Sequence, residues 1–175
     1  MTSEESADFE MMPARAGIEI FSAEQKAMWE HFFNNEEEIS PLDKENIDPM
    51  ALKRYLPGVW MADLITDDDG KLIDFRYRLI GTRLTPIYGE RTGEQVMTDQ
   101  SETSLRVVFP KAYNRIQKVL KYMLELEEPV FVNTHYVEKG HEKLNVSGLT
   151  FPVRNNSDKV NMIFGYVDLK RTFFA

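Results

Sequence analysis

Hydrophobic and polar side chains alternate over residues 74–79, within the run 72–80, which is the period-2 pattern of a strand with one buried face. A mainly apolar run at 59–65 comes shortly before it, and three aspartates and a glycine occupy the gap at 67–70. Aspartate and glycine tolerate positive φ, so this gap is a strong turn signal. The pattern therefore predicts a β-hairpin that pairs 59–65 with 72–80.

Helical periodicity follows the hairpin. Residues 81–93 read as short turns spaced by glycines, and a helical region begins near residue 100. Proline removes a backbone donor, so Pro110 is expected to divide this region and Pro129 to end it. After Pro110 the apolar residues form one stripe at helical spacing, made of Tyr113, Ile116, Leu120, Met123 and Leu124. A long amphipathic helix is predicted here.

Three further strands are predicted at 130–137, 143–153 and 159–169, separated by turn residues. The element order is then helices, two strands, short helices, a long helix and three strands. The chain must cross the sheet between its second and third strands, so the glycine-spaced turns and the long helix are expected to cover one sheet face. Helices on one face of an antiparallel sheet define an α+β fold.

The N-terminal third is predicted to be mostly helical. Residues 1–17 are acidic with little apolar content and are expected to be a disordered lead-in. A serine and a glutamine at capping-box spacing open a predicted helix over 22–36. An Asp-Pro pair introduces a second, short helix over 50–56. Residues 18–57 are therefore predicted to be an N-terminal helical extension.

Large apolar residues gather on one side of the predicted helix 22–36. At about 100° per residue they form one continuous arc, made of Met28, Trp29, Phe32 and Phe33. Such an arc would promote aggregation in water, so it must cover this chain's sheet or a second copy. Twofold pairing is the commonest oligomeric arrangement. We predict a homodimer with these four residues at its interface.

Composition narrows the class of partner. The 175 residues fit a single domain, and the formal charge of −8 makes nucleic acid an unsuitable partner. The absence of cysteine excludes disulfides and thiolate chemistry. No basic and apolar leader opens the sequence, and no apolar run approaches the about 18 residues of a membrane span. A cytoplasmic protein without membrane insertion is expected.

Four stretches together resemble the PAS fold, and in particular a bacterial PAS subfamily of small standalone or signalling-associated proteins. They are IDPMALKRYLPGVWMADL (47–64), FRYRLIGTRLTPIYGERTGEQV (75–96), EEPVFVN (127–133) and NMIFGYVDL (161–169). The resemblance implies a five-stranded antiparallel sheet in the spatial order 2-1-5-4-3. It places the PAS-like domain at 58–170 and leaves 171–175 as a tail.

The resemblance also implies a sensory or regulatory role in bacterial signal transduction, without catalysis and without a universal cofactor. Two interpretations stay open, a ligand sensor with a core cavity and a docking module for a signalling protein such as a kinase. A small isomerase or hydrolase with a pocket between sheet and helices is the alternative from another class. The sequence contains neither a phosphate loop nor a nucleophile elbow.

Several polar and aromatic side chains are candidates for lining such a cavity. They are Trp60, Tyr77, Tyr88, His135, Ser147 and Phe164. Buried tyrosines need hydrogen-bond partners, and small ligands use apolar pockets with a few polar groups. An ordinary packed core is the competing interpretation, and the orientation of the strand that carries Ser147 stays open.

Charged residues offer a second candidate site. Lysines and arginines outnumber acids over 71–91, and Arg76, Arg78 and Arg83 are predicted to bind an anionic ligand or an acidic partner. A solvated strand face with its own ion pairs is the competing interpretation. No two histidines have metal-ligand spacing, so no metal is predicted. No cofactor is predicted other than an unknown small molecule.

Overall fold

The computed structural model describes residues 9–34, 38–139 and 142–173, in which seven strands form one sheet. The strands are β1 (Phe9–Pro13), β2 (Leu42–Asp43), β3 (Val59–Thr66), β4 (Leu72–Ile80), β5 (Val130–Lys139), β6 (Glu142–Arg154) and β7 (Met162–Phe173). The α-helices are α1 (Ala23–Phe33), α2 (Thr85–Tyr88), α3 (Leu105–Val108) and α4 (Pro110–Leu126). Short 3-10 helices lie at Ala14–Ala16, Ile18–Ile20, Lys44–Asn46 and Leu56–Gly58. The predicted α+β class is confirmed.

The strand order places the two ends of the chain in one sheet. The order is β1-β5-β6-β7-β3-β4, and β2 pairs with the far end of β6. Neighbouring strands are antiparallel except for β2 and β6, which are parallel. Without β1 and β2, and counted from β3, the strands lie in the order 2-1-5-4-3. The connection from β4 to β5 therefore crosses the width of these five strands.

The β3–β4 hairpin forms where the alternation predicts it. Its turn closes through one carboxylate, since Asp67 Oδ1 accepts from the backbone N–H groups of Asp69 and Lys71 at 3.0 and 2.9 Å. An aspartate that satisfies two turn donors fixes the loop locally. Residues of the hairpin itself therefore fix the conformation of the turn.

Side chains of the central strands point alternately to two covered faces of the sheet. We call one the N-terminal face, which carries Phe131, Phe151 and Phe164, and the other the cavity face, which carries Trp60, Ala62 and Ile163. Helix α1 covers the first, and α2, α3 and α4 cover the second. The short helices and the long helix of the crossover thus share the cavity face. Helix α1 is needed on the other face because β6 and β7 are apolar on both faces and each face must be buried.

Helix α1 packs on the sheet of its own chain. The predicted capping box is present, with Ser22 and Gln25 exchanging hydrogen bonds at 2.9 and 3.2 Å. The side chains of the apolar arc lie among the aromatic residues of the N-terminal face, where Met28, Trp29 and Phe33 are buried and Phe32 is half-buried. The predicted dimer interface of Met28, Trp29, Phe32 and Phe33 was therefore wrong, because this chain's own strands already cover the arc.

The predicted disordered lead-in is wrong for residues 9–17, whereas residues 1–8 lie outside the described part of the chain. Strand β1 pairs with β5 from Phe9 to Pro13, and Ala14 follows it fully buried. The backbone of an edge strand can supply pairing without a strong apolar pattern, which explains why composition gave no sign of it. The predicted lead-in thus contributes β1 to the main sheet, and the N-terminal extension contributes β2.

Other predicted boundaries shift by a few residues. Helix α1 ends at Phe33 because Asn34 adopts a left-handed conformation with φ 35°, and residues 35–37 lie outside the described part of the chain. The predicted helix 50–56 is a series of turns that ends in a 3-10 helix. The predicted tail is wrong for residues 171–173, which continue β7.

Candidate functional site

The first part of the crossover is held against the end of the hairpin. The N–H of Gly81 donates to the carbonyl of Val59 at 2.7 Å. A Cβ at Gly81 would lie 2.2 Å from the carbonyl oxygen of Pro57, so this approach is open only to glycine. Helix α2 then ends at Gly89, whose φ is 85°. These two glycines turn the chain back over the cavity face and place Tyr88 above the sheet.

A buried ion pair holds the next turns together. Arg91 Nη1 and Glu94 Oε2 are 2.9 Å apart, and their side chains are only 8% and 10% exposed. Arg91 also donates to the backbone carbonyls of Tyr88 and Thr103. The other oxygen of Glu94 accepts from the N–H of Leu105 at 2.8 Å. The pair therefore ties the end of α2 to the start of α3.

A buried carboxylate anchors the same loop to the sheet edge. Asp74 on β4 is 4% exposed and accepts from the backbone N–H groups of Phe75 and Met97, both at 2.8 Å. It also accepts from the hydroxyl of Thr98. Because its hydrogen bonds satisfy the buried charge, Asp74 fixes this loop beside β4.

An apolar cavity of about 140 Å³ lies between the cavity face and helices α2, α3 and α4. The aromatic side chains of Trp60, Tyr77 and Tyr88 border it. Aliphatic side chains from α4 and from the sheet form most of the remaining wall, among them Ile116, Val119, Val132, Val146 and Val167. Apolar walls with a few polar groups are typical of small-molecule sites.

A glycine in the middle of β6 forms part of the cavity floor. Gly148 lies between Val132 and Val167 on the neighbouring strands, and a Cβ built there would meet nothing closer than 3.7 Å. Gly165 on β7 behaves differently, since a Cβ there would lie 2.1 Å from Nε1 of Trp60. The indole therefore fills the space above Gly165, whereas the space above Gly148 is open.

The two tyrosine hydroxyls of the cavity are protonated at neutral pH. Burial, and then the charges of Tyr88 and Glu94, raise the pKa of Tyr77, while Arg91 opposes the shift. Burial also raises the pKa of Tyr88, and the charge and hydrogen bond of Arg115 partly offset this. Both phenols are therefore neutral and able to donate a hydrogen bond.

The raised pKa of Tyr77 predicts a loss of stability in alkali. An unfolded tyrosine releases its proton near pH about 10, whereas the folded protein holds the proton of Tyr77 to higher pH. The unfolded state then binds fewer protons, so stability that is present below pH about 10 falls as the pH rises further. In urea denaturation we expect a steeper alkaline fall for the wild type than for Tyr77→Phe. Parallel falls would contradict this.

Three of the six predicted cavity residues border the cavity, namely Trp60, Tyr77 and Tyr88. The ring of Trp60 meets that of Tyr77 edge to face at 6.0 Å. His135 lies in β5, but its side chain is outside the described part of the chain. The structure therefore gathers these three aromatic residues, and the role of His135 stays a prediction.

The other two candidates, Phe164 and Ser147, lie on the N-terminal face and were wrongly assigned to the cavity. The ring of Phe164 lies 5.8 Å from that of Phe32 in α1. Ser147 Oγ accepts from Nε2 of the buried Gln25 at 2.8 Å. Adjacent residues of a strand point to opposite faces, so an uncertainty of one residue in the pattern reverses the assignment.

The three predicted patch arginines do not form one surface. Arg76 and Arg78 are exposed and both lie beside Asp63, at 3.7 and 3.5 Å. Arg83 instead donates to Tyr166 Oη at 3.2 Å and to the backbone carbonyl of Val167 on β7. The predicted patch of Arg76, Arg78 and Arg83 was therefore wrong as a unit, because the guanidinium of Arg83 already binds groups of β7.

The structure defines the protein as an α+β domain in which the helices of the crossover cover a small apolar cavity on one face of the sheet. Comparison with known families agrees. The family model of the PAS domain matches residues 21–168, and the chain belongs to the PAS domain family. PAS domains are in general sensory or regulatory domains that commonly mediate interactions. No match is found among curated proteins or among solved structures.

No helix in the described ranges is both long and apolar enough to span a membrane. Within the same ranges, no group of three or more histidine, cysteine, aspartate and glutamate side chains is arranged to hold a metal ion.

Proposed function

We propose that this chain is a non-catalytic sensory module of bacterial signal transduction that binds a small molecule in the cavity. The observation that carries the proposal is the open floor at Gly148. A glycine inside a strand weakens it, and it often marks a place where a ligand approaches the backbone closely. Here the missing side chain leaves space within an otherwise apolar wall.

The cavity wall also argues against catalysis. Among the described residues it includes no carboxylate, histidine, cysteine or serine. Its ionisable groups are two arginines and two tyrosines, and burial raises the pKa of both tyrosines. A general base needs a pKa near the working pH, and burial moves the pKa of both tyrosines away from it. The small isomerase or hydrolase is therefore the weaker alternative.

Replacing Gly148 by valine is expected to abolish ligand binding while stabilising the fold. The new side chain would occupy the cavity, and β-branched residues suit strands, so we expect a gain of about 0.5–1 kcal/mol in the free energy of unfolding. Toluene is a suitable neutral probe, since an apolar cavity of about 150 Å³ binds benzene. Calorimetric titration should detect toluene in the wild type and not in Gly148→Val.

Two further variants serve as controls for this prediction. Gly148→Ala fills less space and should weaken toluene binding only in part. Thr66→Val places a valine at the exposed end of β3, which does not line the cavity, and should bind as the wild type does. Undiminished binding by Gly148→Val would place the site elsewhere, and native mass spectrometry of the purified protein would identify a retained natural ligand.

Docking of a signalling protein such as a kinase is the second candidate function. It is favoured by the part of the N-terminal face near β4, where Arg76, Arg78 and Leu79 are exposed. The predicted homodimer also stays a prediction, and it would need a surface other than the buried arc of α1. Light scattering of the full chain at tens of micromolar would establish whether it associates.

A further inference from the structure

The size of the cavity limits the ligand, provided that the proposed function holds. Its volume of about 140 Å³ is close to the about 150 Å³ that accommodates benzene in an engineered apolar cavity. Sites for drug-sized ligands and cofactors are larger, at about 300–1,000 Å³. An apolar group of about one six-membered ring would therefore fill the cavity.

The charged groups of the wall are on one side. The sheet contributes a mainly apolar floor that also includes Thr134 and Thr150, whereas Arg115 on α4 and Tyr88 on α2 lie together on the helix side. The hydrogen bond between them runs from the guanidinium to the phenol oxygen, because arginine can only donate. The proton of Tyr88 is not used in this contact, so the phenol can donate it to a ligand.

The charged side chains that line the cavity are those of Arg91 and Arg115. Glu94, which pairs with Arg91, lies outside the cavity wall. No carboxylate lines the cavity in the described part of the chain. A guanidinium presents a planar fork of donors that matches a carboxylate, and hydrogen bonds between charged groups are the strong ones.

We infer that the cavity binds a small monocarboxylate whose apolar body is the size of a benzene ring. The ring lies over Gly148 among the aliphatic side chains, and the carboxylate accepts from Arg115 and from Tyr88. Such a ligand meets both the apolar floor and the cationic helix side. A strongly hydrated dianion such as phosphate would meet only the second.

Benzoate and its neutral isostere benzamide test this inference by calorimetric titration. We expect the wild type to bind benzoate about tenfold more tightly than benzamide, or better, because only benzoate accepts from Arg115 with full charge. Arg115→Gln should remove this preference while leaving benzamide affinity within about threefold, since the floor is unchanged. Arg115→Lys keeps the charge without the planar fork and should show an intermediate preference.

Other results would contradict either the carboxylate of the ligand or the proposed function as a whole. Equal affinity for the two probes, or an unchanged preference in Arg115→Gln, would overturn the carboxylate and leave the proposed function standing. Failure of benzoate, benzamide and toluene alike to bind the wild type would overturn the proposed function as well. If Arg115→Gln binds neither probe, Arg115→Lys decides: a reduced preference supports the inference, and an undiminished one overturns it.

Discussion

Replacing Glu94 by alanine is expected to lower the free energy of unfolding by about 3–5 kcal/mol, since it leaves the charge of Arg91 buried without its partner. Both side chains are at most 10% exposed, so water cannot take the place of the carboxylate. The change also removes the acceptor for the N–H of Leu105 at the start of α3. Urea denaturation followed by circular dichroism would measure the loss.

Two other variants make this prediction specific. Glu94→Gln can keep an acceptor for Leu105 but lacks the charge, so its loss should be smaller than that of Glu94→Ala. Asp63→Ala removes a carboxylate that lies beside the exposed Arg76 and Arg78, and it should cost only about 0–1 kcal/mol. Equal losses for Glu94→Ala and Asp63→Ala would show that the buried pair does not hold the crossover.

Replacing Trp29 by alanine is expected to cost about 3–5 kcal/mol of unfolding free energy without changing the oligomeric state. The indole is 8% exposed and lies among aromatic rings of its own chain, with Phe33 at 4.5 Å and Phe21 at 6.0 Å. Truncation would leave a cavity between α1 and the sheet. Thermal unfolding and sedimentation velocity would measure the two effects separately.

The matched control for Trp29 is an apolar side chain with no packing to lose. Met50 is 76% exposed, so Met50→Ala should change the stability by no more than about 0.5 kcal/mol. If Trp29→Ala instead split a dimer while the unfolding midpoint stayed the same, α1 would form an intermolecular contact, contrary to the packing described above.

Local sequence patterns were sufficient to predict the secondary-structure elements that are determined by neighbouring residues. The β3–β4 hairpin follows from alternation and from a turn that Asp67 closes by itself, and α4 begins at Pro110 as predicted. The surface against which α1 packs could not be predicted in this way. An apolar arc shows that a helix must be buried, but it does not show whether its own sheet or a second copy buries it.

The assignment of residues to sheet faces failed where both faces are apolar. On β6, Leu149 and Phe151 point to the N-terminal face while Thr150 points to the cavity, so no polar face marks the register. Ser147 was assigned to the wrong side for this reason. Strand β1 was missed because its residues pair through the backbone at the sheet edge and show little apolar periodicity.

Two residues of the candidate site had a signal in the sequence that went unused. Arg115 stands three residues after Ala112 and four before Val119, at helical spacing, so the apolar stripe of α4 carries one arginine. Gly148 interrupts an otherwise β-forming run, which indicates a bulge or a close approach. Their convergence on one cavity depends on the sheet order, which local patterns do not determine.

The division of the sheet into two covered faces gives the protein two separate optical reporters. The chain has two tryptophans, and Trp29 lies beneath α1 whereas Trp60 borders the cavity. Excited at the same wavelength, the two indoles emit from opposite sides of one sheet. A Trp29→Phe variant would report on the cavity alone, and a Trp60→Phe variant on the seating of α1 alone. Stopped-flow fluorescence of the two variants would then show whether ligand binding in the cavity changes the packing of α1 on the other face, and at what rate.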